Sequence, residues 1–260
     1  MLQYYKMDGK VAILGCAKDC AKYLRLSLQN AKRIGSMFSD YKIFLMESDS
    51  IDGTTDILMS ERKDPRVSVF IKNHLSWSLP RRTWRIAYCR NYLLQELIKS
   101  GYQPDYVIVM DMDDIGNSDK GPSMIKMCMT KRNHWDAIFP RLTYDTFAFR
   151  FPGHTANSGE LNQIVPNGAA KMRYFRELSA PGGDDSMFDK NGLMGVFSAF
   201  NGIAIYKYKL YIRGTYSGKN MFFSTTTNPR NKGHEECEHV NFHLSLGPCR
   251  LMMSKDFKYP

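Results

Sequence analysis

The sequence predicts an α/β fold: a mainly parallel sheet with helices packed on it. Three observations carry that prediction. Short apolar runs alternate with helix-length segments through the first half of the chain, the order expected of strand, crossover helix, strand. One run, Tyr106 to Met110, is apolar or aromatic at every position, as in a strand covered on both faces. That run stops at Asp111, Asp113 and Asp114, and in open sheets of this type the carboxyl edge is where ligands bind.

The elements follow in order. Residues 11–14 are apolar and end at Gly15, a first strand. Residues 19–34 place Ala21, Leu24, Leu28, Ala31 and Ile34 on one helical stripe. Residues 42–46 give a second strand, followed by the polar turn Glu47-Ser-Asp49-Ser-Ile-Asp52-Gly-Thr-Thr-Asp56, in which Asp52 or Thr54 can cap the next helix. Residues 67–71 give a third strand, and residues 81–100 a long helix with Pro104 beyond its end. After the central strand come a short helix at 124–129 and a strand at 136–140. From residue 151 glycine and proline accumulate and long loops dominate. A strand is expected at 198–206, a polar lid at 216–232, a histidine- and glutamate-rich segment at 234–244 and a last strand at 250–253. There is no internal repeat. The chain reads as one domain, residues 1–260, with a front part to about residue 140 and a loop-rich back part from about 141.

At 260 residues and 43% hydrophobic composition, the chain can bury a sizeable core and is not a disordered protein. Its net charge of +10 points to anionic partners. The surplus is dispersed, without a run of five like charges, so nucleic acid is not the expected partner. The six cysteines do not form the dense pattern of a small disulfide scaffold and read as reduced thiols of a cytoplasmic protein. Neither a signal-peptide core nor a membrane span is present in the sequence.

Three carboxylates within four residues repel one another and invite a cation. Hard oxygen donors suit Mg²⁺ or Mn²⁺, whose shells are usually completed by phosphate oxygens and water. The expected site is therefore a metal–diphosphate site, with a solvated acidic turn as the alternative. Asp113 is the first choice for the metal. Asp111 serves the metal or the ribose, and Asp114 ligates or orients the reacting groups. Glu47, Asp49 and Asp52 at the second strand end can accept from ribose hydroxyls or a base N–H, or else simply build the turn. Arg85 and Arg90 can face phosphates, whereas Arg81 and Arg82 read as a solvated basic face. Glu238 or Glu236 can take the proton of an attacking hydroxyl. His239 and His243 share a helix face if that segment is helical, and then form a metal-binding pair. Trp77, Tyr144 and Phe147 can stack on sugar faces or serve the core.

The pair Arg90-Asn91 on a helix, followed by an apolar strand ending Asp111-Met-Asp113-Asp114, resembles nucleotide-sugar glycosyltransferases of the GT-A fold. The turn at 47–56 is similar to that superfamily's nucleotide-side loop. The longer pattern adds Tyr144-Asp145, Arg150, Phe200-Asn201-Gly202 and Cys237-Glu238-His239. It resembles the glycosyltransferases of large DNA viruses of algae and fungal capsule mannosyltransferase-like enzymes, over roughly residues 10–250. The resemblance implies a mixed, mainly parallel GT-A sheet with a loop-rich acceptor part. It also implies a Mn²⁺- or Mg²⁺-dependent transfer from a nucleoside-diphosphate sugar to a glycan or glycoprotein acceptor. Asp113 would contact the metal, Glu238 would lie near the acceptor, and His239 or His243 would complete the metal shell. Asp145, Arg150, Asn201 and the 236–243 segment would shape the acceptor pocket. The membrane anchor of Golgi relatives is missing from the sequence, which favours the cytoplasm, the host's if the gene is viral. Two other classes compete: a metal-dependent phosphoesterase or nuclease using the same acids, and a non-catalytic nucleotide- or carbohydrate-binding module.

Overall fold

The computed structural model describes residues 6–116, 121–141, 145, 147–150, 185–219 and 235–258. Eight strands form one sheet in the order β3-β2-β1-β4-β7-β5-β8-β6. They are β1 (Met7–Ala17), β2 (Phe38–Glu47), β3 (Val67–Ile71), β4 (Tyr106–Met110), β5 (Ala137–Pro140), β6 (Leu193–Gly195), β7 (Ile203–Lys207) and β8 (Leu251–Ser254). The helices are α1 (Ala21–Ser36), α2 (Thr54–Glu61), α3 (Leu75–Ser78), α4 (Arg82–Lys99), α5 (Gly121–Thr130), α6 (Tyr208–Tyr211) and α7 (Glu238–Ser245). The architecture is the expected mixed α/β sheet with flanking helices.

Strand alternation divides the core in two. Ala12, Leu14, Val107 and Val109 point to the face covered by α4 and α7, where Leu93, Leu94, Leu97 and Phe242 pack. Val11, Ile13, Ile108 and Met110 point to the opposite face, against Leu24, Leu28, Ala31 and Ile34 of α1. Both faces of β1 and β4 are thus dry, which is why these strands read as unbroken apolar runs.

The register sets the site. β1 runs parallel to β2 and β4, with Leu14 opposite Phe44 and Val109, and Ala17 opposite Glu47. The carboxyl ends of three strands therefore share one edge. β7 runs antiparallel to β4, with Ile203 opposite Met110. That reversal brings Phe200, Asn201 and Gly202 to the same edge.

Several boundaries differ from expectation. β1 and β2 are longer, because their polar ends still find ladder partners in each other. The strand expected from residue 198 begins at Ile203, since Asn201 (φ 61°) and Gly202 (φ 86°) turn the chain in the left-handed region. Gly53 (φ 83°), rather than Asp52 or Thr54, occupies the N-cap position of α2. β6 and the short helices α3 and α6 carried no periodic signal and were not expected. Residues 220–232 of the expected lid lie outside the described residues.

Candidate active site

The acid loop leaves β4 at Asp111, whose amide donates to Gly202 O at 2.9 Å. It closes at Gly116, where a Cβ would sit 2.0 Å from Asp111 O, so glycine alone fits. Helix α1 holds the loop from below: Ser27 Oγ donates to Asp113 O at 3.0 Å and Asn30 Nδ2 to Gly116 O at 3.2 Å. The loop lines a cavity of about 640 Å³. Its wall includes Lys18 from the β1 end, Arg82, Arg85 and Arg90 from α4, Asp111, Asp113, Asp114, Asp145, Phe147, Phe200, and Glu238 and His239 from α7.

Arg90 is the hub. It is 6% exposed. Its Nε donates to Glu238 Oε1 at 3.2 Å and its Nη2 to Asp111 Oδ1 at 3.3 Å. The guanidinium lies 4.9 Å from the Phe200 ring centroid and 5.9 Å from that of Tyr216, a cation–π seat for a desolvated charge. Burial works against its charge, but Glu238 and the other anions around it hold the proton on firmly. The neighbouring Asn91 clamps residue 216: Nδ2 donates to Tyr216 O and Oδ1 accepts from Tyr216 N, both at 2.8 Å. The Arg-Asn pair thus does two jobs, one electrostatic and one architectural.

Burial pushes the Asp111 carboxyl up to about 7; Arg90 opposes this, while Asp113, Asp145 and Glu238 add to it. Burial also raises Asp113, although the Ile115 amide donates to its Oδ1 at 3.2 Å. Both shifts come first from burial, and the neighbouring carboxylates add to them. Among the described residues no group of three or more His, Cys, Asp or Glu side chains is gathered to enclose an ion. The donor set nevertheless fits Mg²⁺ or Mn²⁺, which take few protein carboxylates and complete their shells with phosphate and water. Asp113 and the Asp111 oxygen not bonded to Arg90 are the residues that would hold it.

His239 stacks on Phe200 at 3.8 Å between centroids, and both of its ring nitrogens are buried without a hydrogen-bond partner. Nε2 lies 3.6 Å from Glu238 Oε1. Burial, Arg90 and His243 keep the imidazole neutral, so it has a lone pair to offer.

Several expected site residues are placed elsewhere. His243 is not a ligand candidate: Nε2 is 2.9 Å from the Tyr206 hydroxyl and Nδ1 is 2.9 Å from Ser198 Oγ, so both nitrogens are occupied inside the core. Glu236 is off the cavity wall, its Oε1 accepting from Arg150 Nη2 and from Cys237 N, each at 2.7 Å. Arg150 is spent on that pair and on the carbonyls of Phe147 and Phe149. Asn201 is fully buried and staples loops together, with Nδ2 on Arg141 O at 2.7 Å and Oδ1 accepting from Asp145 N at 3.2 Å. Asp49 accepts from Ser76 N at 2.8 Å, and Asp52 from Ala21 N at 2.9 Å and Thr54 N at 3.1 Å; both build the turn. Glu47 accepts from Ser50 N at 2.7 Å through Oε1, whereas its Oε2 is buried without a partner. Arg85 lines the cavity while donating to Leu79 O and Pro80 O. Trp77 is 87% exposed and off the cavity wall; Phe147 is on it; Tyr144 lies outside the described residues. Lys18 and Arg82 were not expected at the site. Ser27 and Asn30 were also missed, though two polar residues three apart on a buried helix face are a legible signal.

No family model matches the chain, and no curated protein sequence matches it. Solved structures do. S. aureus TarS 1–349 in complex with UDP matches at TM-score 0.54 and 14% identity, covering 96% of this chain and 59% of that one. The complex of TarS 1–349 with UDP-GlcNAc matches at 0.53 and 13%, covering 96% and 57%. The mannosyltransferase PcManGT from Pyrobaculum calidifontis, in complex with GDP-Man and Mn²⁺, matches at 0.45 and 12%, covering 96% and 57%. This chain spans less than two thirds of the length of these proteins. No helix among the described residues is long and apolar enough to cross a membrane. The likeness to TarS shows the fold: a GT-A-type α/β sheet with flanking helices.

Proposed function

We propose that the chain is a glycosyltransferase that moves a sugar from a UDP- or GDP-sugar to a hydroxyl of a glycan or glycoprotein, with Mn²⁺ or Mg²⁺ bound. One observation carries the reading: the strand-end acids and Glu238 face one cavity of about 640 Å³ from opposite elements, joined through Arg90. That volume falls in the range of small-ligand sites. The motif resemblance to algal-virus and fungal capsule enzymes supports the same class of reaction.

The part up to about residue 140 binds the donor and the part beyond it shapes the acceptor side. Asp113 and Asp111 would hold the cation and Asp114 would orient the groups around it, while His239 lines the same cavity beside Glu238 without joining them as a third donor. When bound, the cation stabilises the charge that builds on the departing diphosphate. Lys18, Arg82 and Arg85 line the same wall and meet the phosphates. Glu47, buried at the end of β2 and off the cavity wall, holds the turn beside the donor side through its bond from Ser50 N. Glu238 takes the proton of the acceptor hydroxyl; the hydrogen bond from Arg90 Nε aims it. Glu236 is excluded from that role by its pair with Arg150. Asp145 and Phe147 line the acceptor side.

The test is a panel of nucleotide sugars with Mn²⁺ or Mg²⁺ and hydroxyl acceptors, read by release of the nucleoside diphosphate. Release that depends on both donor and acceptor is expected. Nucleotide binding without turnover would assign a binding module, and hydrolysis of phosphate esters without sugar transfer would assign a phosphoesterase.

A further inference from the structure

Helices α1 and α5 pack against each other on the sheet face away from α4 and α7. Their outward side has a one-sided composition. No Asp or Glu occurs at residues 20–39 or 121–135, the stretches that contain the two helices. On α1, Leu24, Leu28, Ala31 and Gly35 are buried. Lys22, Arg25, Gln29 and Arg33 follow at three- and four-residue spacing on the opposite stripe, with Leu26 beside them, and all five are exposed. On α5, Ile125, Cys128 and Met129 are buried, whereas Lys126 and Met127 face out and exposed Arg132 lies just beyond the helix. Among these cations Leu26 is 53% exposed and Met127 37%. Neighbouring anions are taken by other lysines: Lys32 pairs with Glu61 at 2.6 Å and Asp64 at 3.1 Å, and Lys131 with Asp256 at 2.7 Å. The acid loop meets α1 at Ser27 and Asn30, on its buried side.

We propose that the outward face of α1 and α5 docks the protein on the surface of an anionic lipid bilayer. Lys22, Arg25, Arg33, Lys126 and Arg132 meet acidic headgroups, and each Lys or Arg near such a surface raises partitioning about fivefold. Leu26 and Met127 enter the apolar boundary just beneath the headgroups. The two aliphatic side chains favour a bilayer over a nucleic acid or an acidic glycan, which would match the cations but give Leu26 and Met127 no apolar phase to enter. The face is acid-free along both helices, so no local like charge opposes the contact. Helix α1 carries both the stripe and the two bonds to the acid loop, so docking also fixes the cavity relative to the bilayer. The proposal is independent of the reaction that the cavity carries out.

The test is flotation of the full chain with vesicles of phosphatidylcholine, alone or with about 30% phosphatidylserine. Binding to the anionic vesicles only, weaker in about 0.5 M than in about 0.1 M salt, is the expected result. The double substitution Arg25→Glu with Lys126→Glu should lower the partition coefficient at least about 25-fold. Lys99→Glu with Lys209→Glu makes the same change in net charge at exposed positions on helices of the opposite face, and should lower it less than about fivefold. Leu26→Ser with Met127→Ser should lower vesicle partitioning about tenfold and leave retention on heparin unchanged. Failure to float with the anionic vesicles, or equal losses in the two charge-reversed chains, would overturn the proposal. Undiminished vesicle binding in the serine chain would also overturn it and assign the face to a soluble polyanion.

Discussion

The acids at the end of β4 and the polar residues of the part beyond residue 141 are used differently. Asp113 and Asp114 are exposed to the cavity, and the only side-chain bond of Asp113 among the described residues is to the amide two residues on. In the back part, Glu236, Arg150, Asn201 and His243 are off the cavity wall and have polar atoms bonded to protein partners. Asp113 and Asp114 at the end of β4 face the cavity, whereas the acids of the turn after β2 are taken up by backbone amides. The back part joins the sheet through β6, β7 and β8 and ties the loops between them with side chains. Residue type in that part is therefore a poor guide to chemistry, and Asp145, Glu238 and His239 are the acidic and histidine side chains of it that reach the cavity among the described residues.

Four substitutions sharpen or break this contrast. The largest effect is expected from Glu238→Gln: kcat lower by roughly 10²–10⁴-fold with donor KM little changed, the range for a lost general base. Glu236→Gln in the same assay should leave kcat within a few-fold; equal losses would erase the distinction between the two carboxylates. Next is Arg90→Met, which strands Glu238 and Asp111 as buried carboxylates without a counter-charge. Unfolding free energy should fall by about 3–5 kcal/mol, read by urea denaturation. His243→Leu should cost about 1–3 kcal/mol of stability by orphaning the Tyr206 and Ser198 hydroxyls. Its Mn²⁺ and nucleotide affinities should not change, and a fall in Mn²⁺ affinity would return His243 to the metal.

The smallest effect concerns Asp136, far from the site. Hydrogen bonds from Arg250 hold its carboxyl well below the usual range, against burial and with help from Lys207. The folded pKa is depressed, so the stabilisation is present above the ordinary carboxylate pKa and is lost as pH falls through the folded value. Asp136→Asn should lower stability near neutrality, and the difference from the parent should shrink as pH falls through the acid limb, flattening it. An unchanged acid limb would show that the Arg250 pair contributes nothing measurable.

What the sequence disclosed follows the same division. Tyr106 to Met110 announces β4 because both faces are dry, and the acids after it announce the cavity because a strand end leaves them unpaired. Arg90 and Asn91 were conspicuous as a pair, but their separate duties depend on α7 and on residue 216, which are distant in sequence. Asp49 and Asp52 read equally well as binders or turn-builders. The amides that bind them belong to Ser76 and Ala21, which no local pattern places nearby. His239 and His243, four apart, looked equivalent, and only the strand carrying Tyr206 separates them.

The central claim is that a cation bridges the β4-edge aspartates and a nucleotide diphosphate. Isothermal calorimetry of UDP and GDP, with Mn²⁺ and with chelator, on the unmutated chain and on Asp113→Ala, tests it most directly. Tight binding of one nucleotide only with Mn²⁺, abolished in Asp113→Ala while the melting temperature holds, is the predicted result. Equal affinity with chelator present, or an Asp113→Ala chain that binds as the parent does, would contradict it.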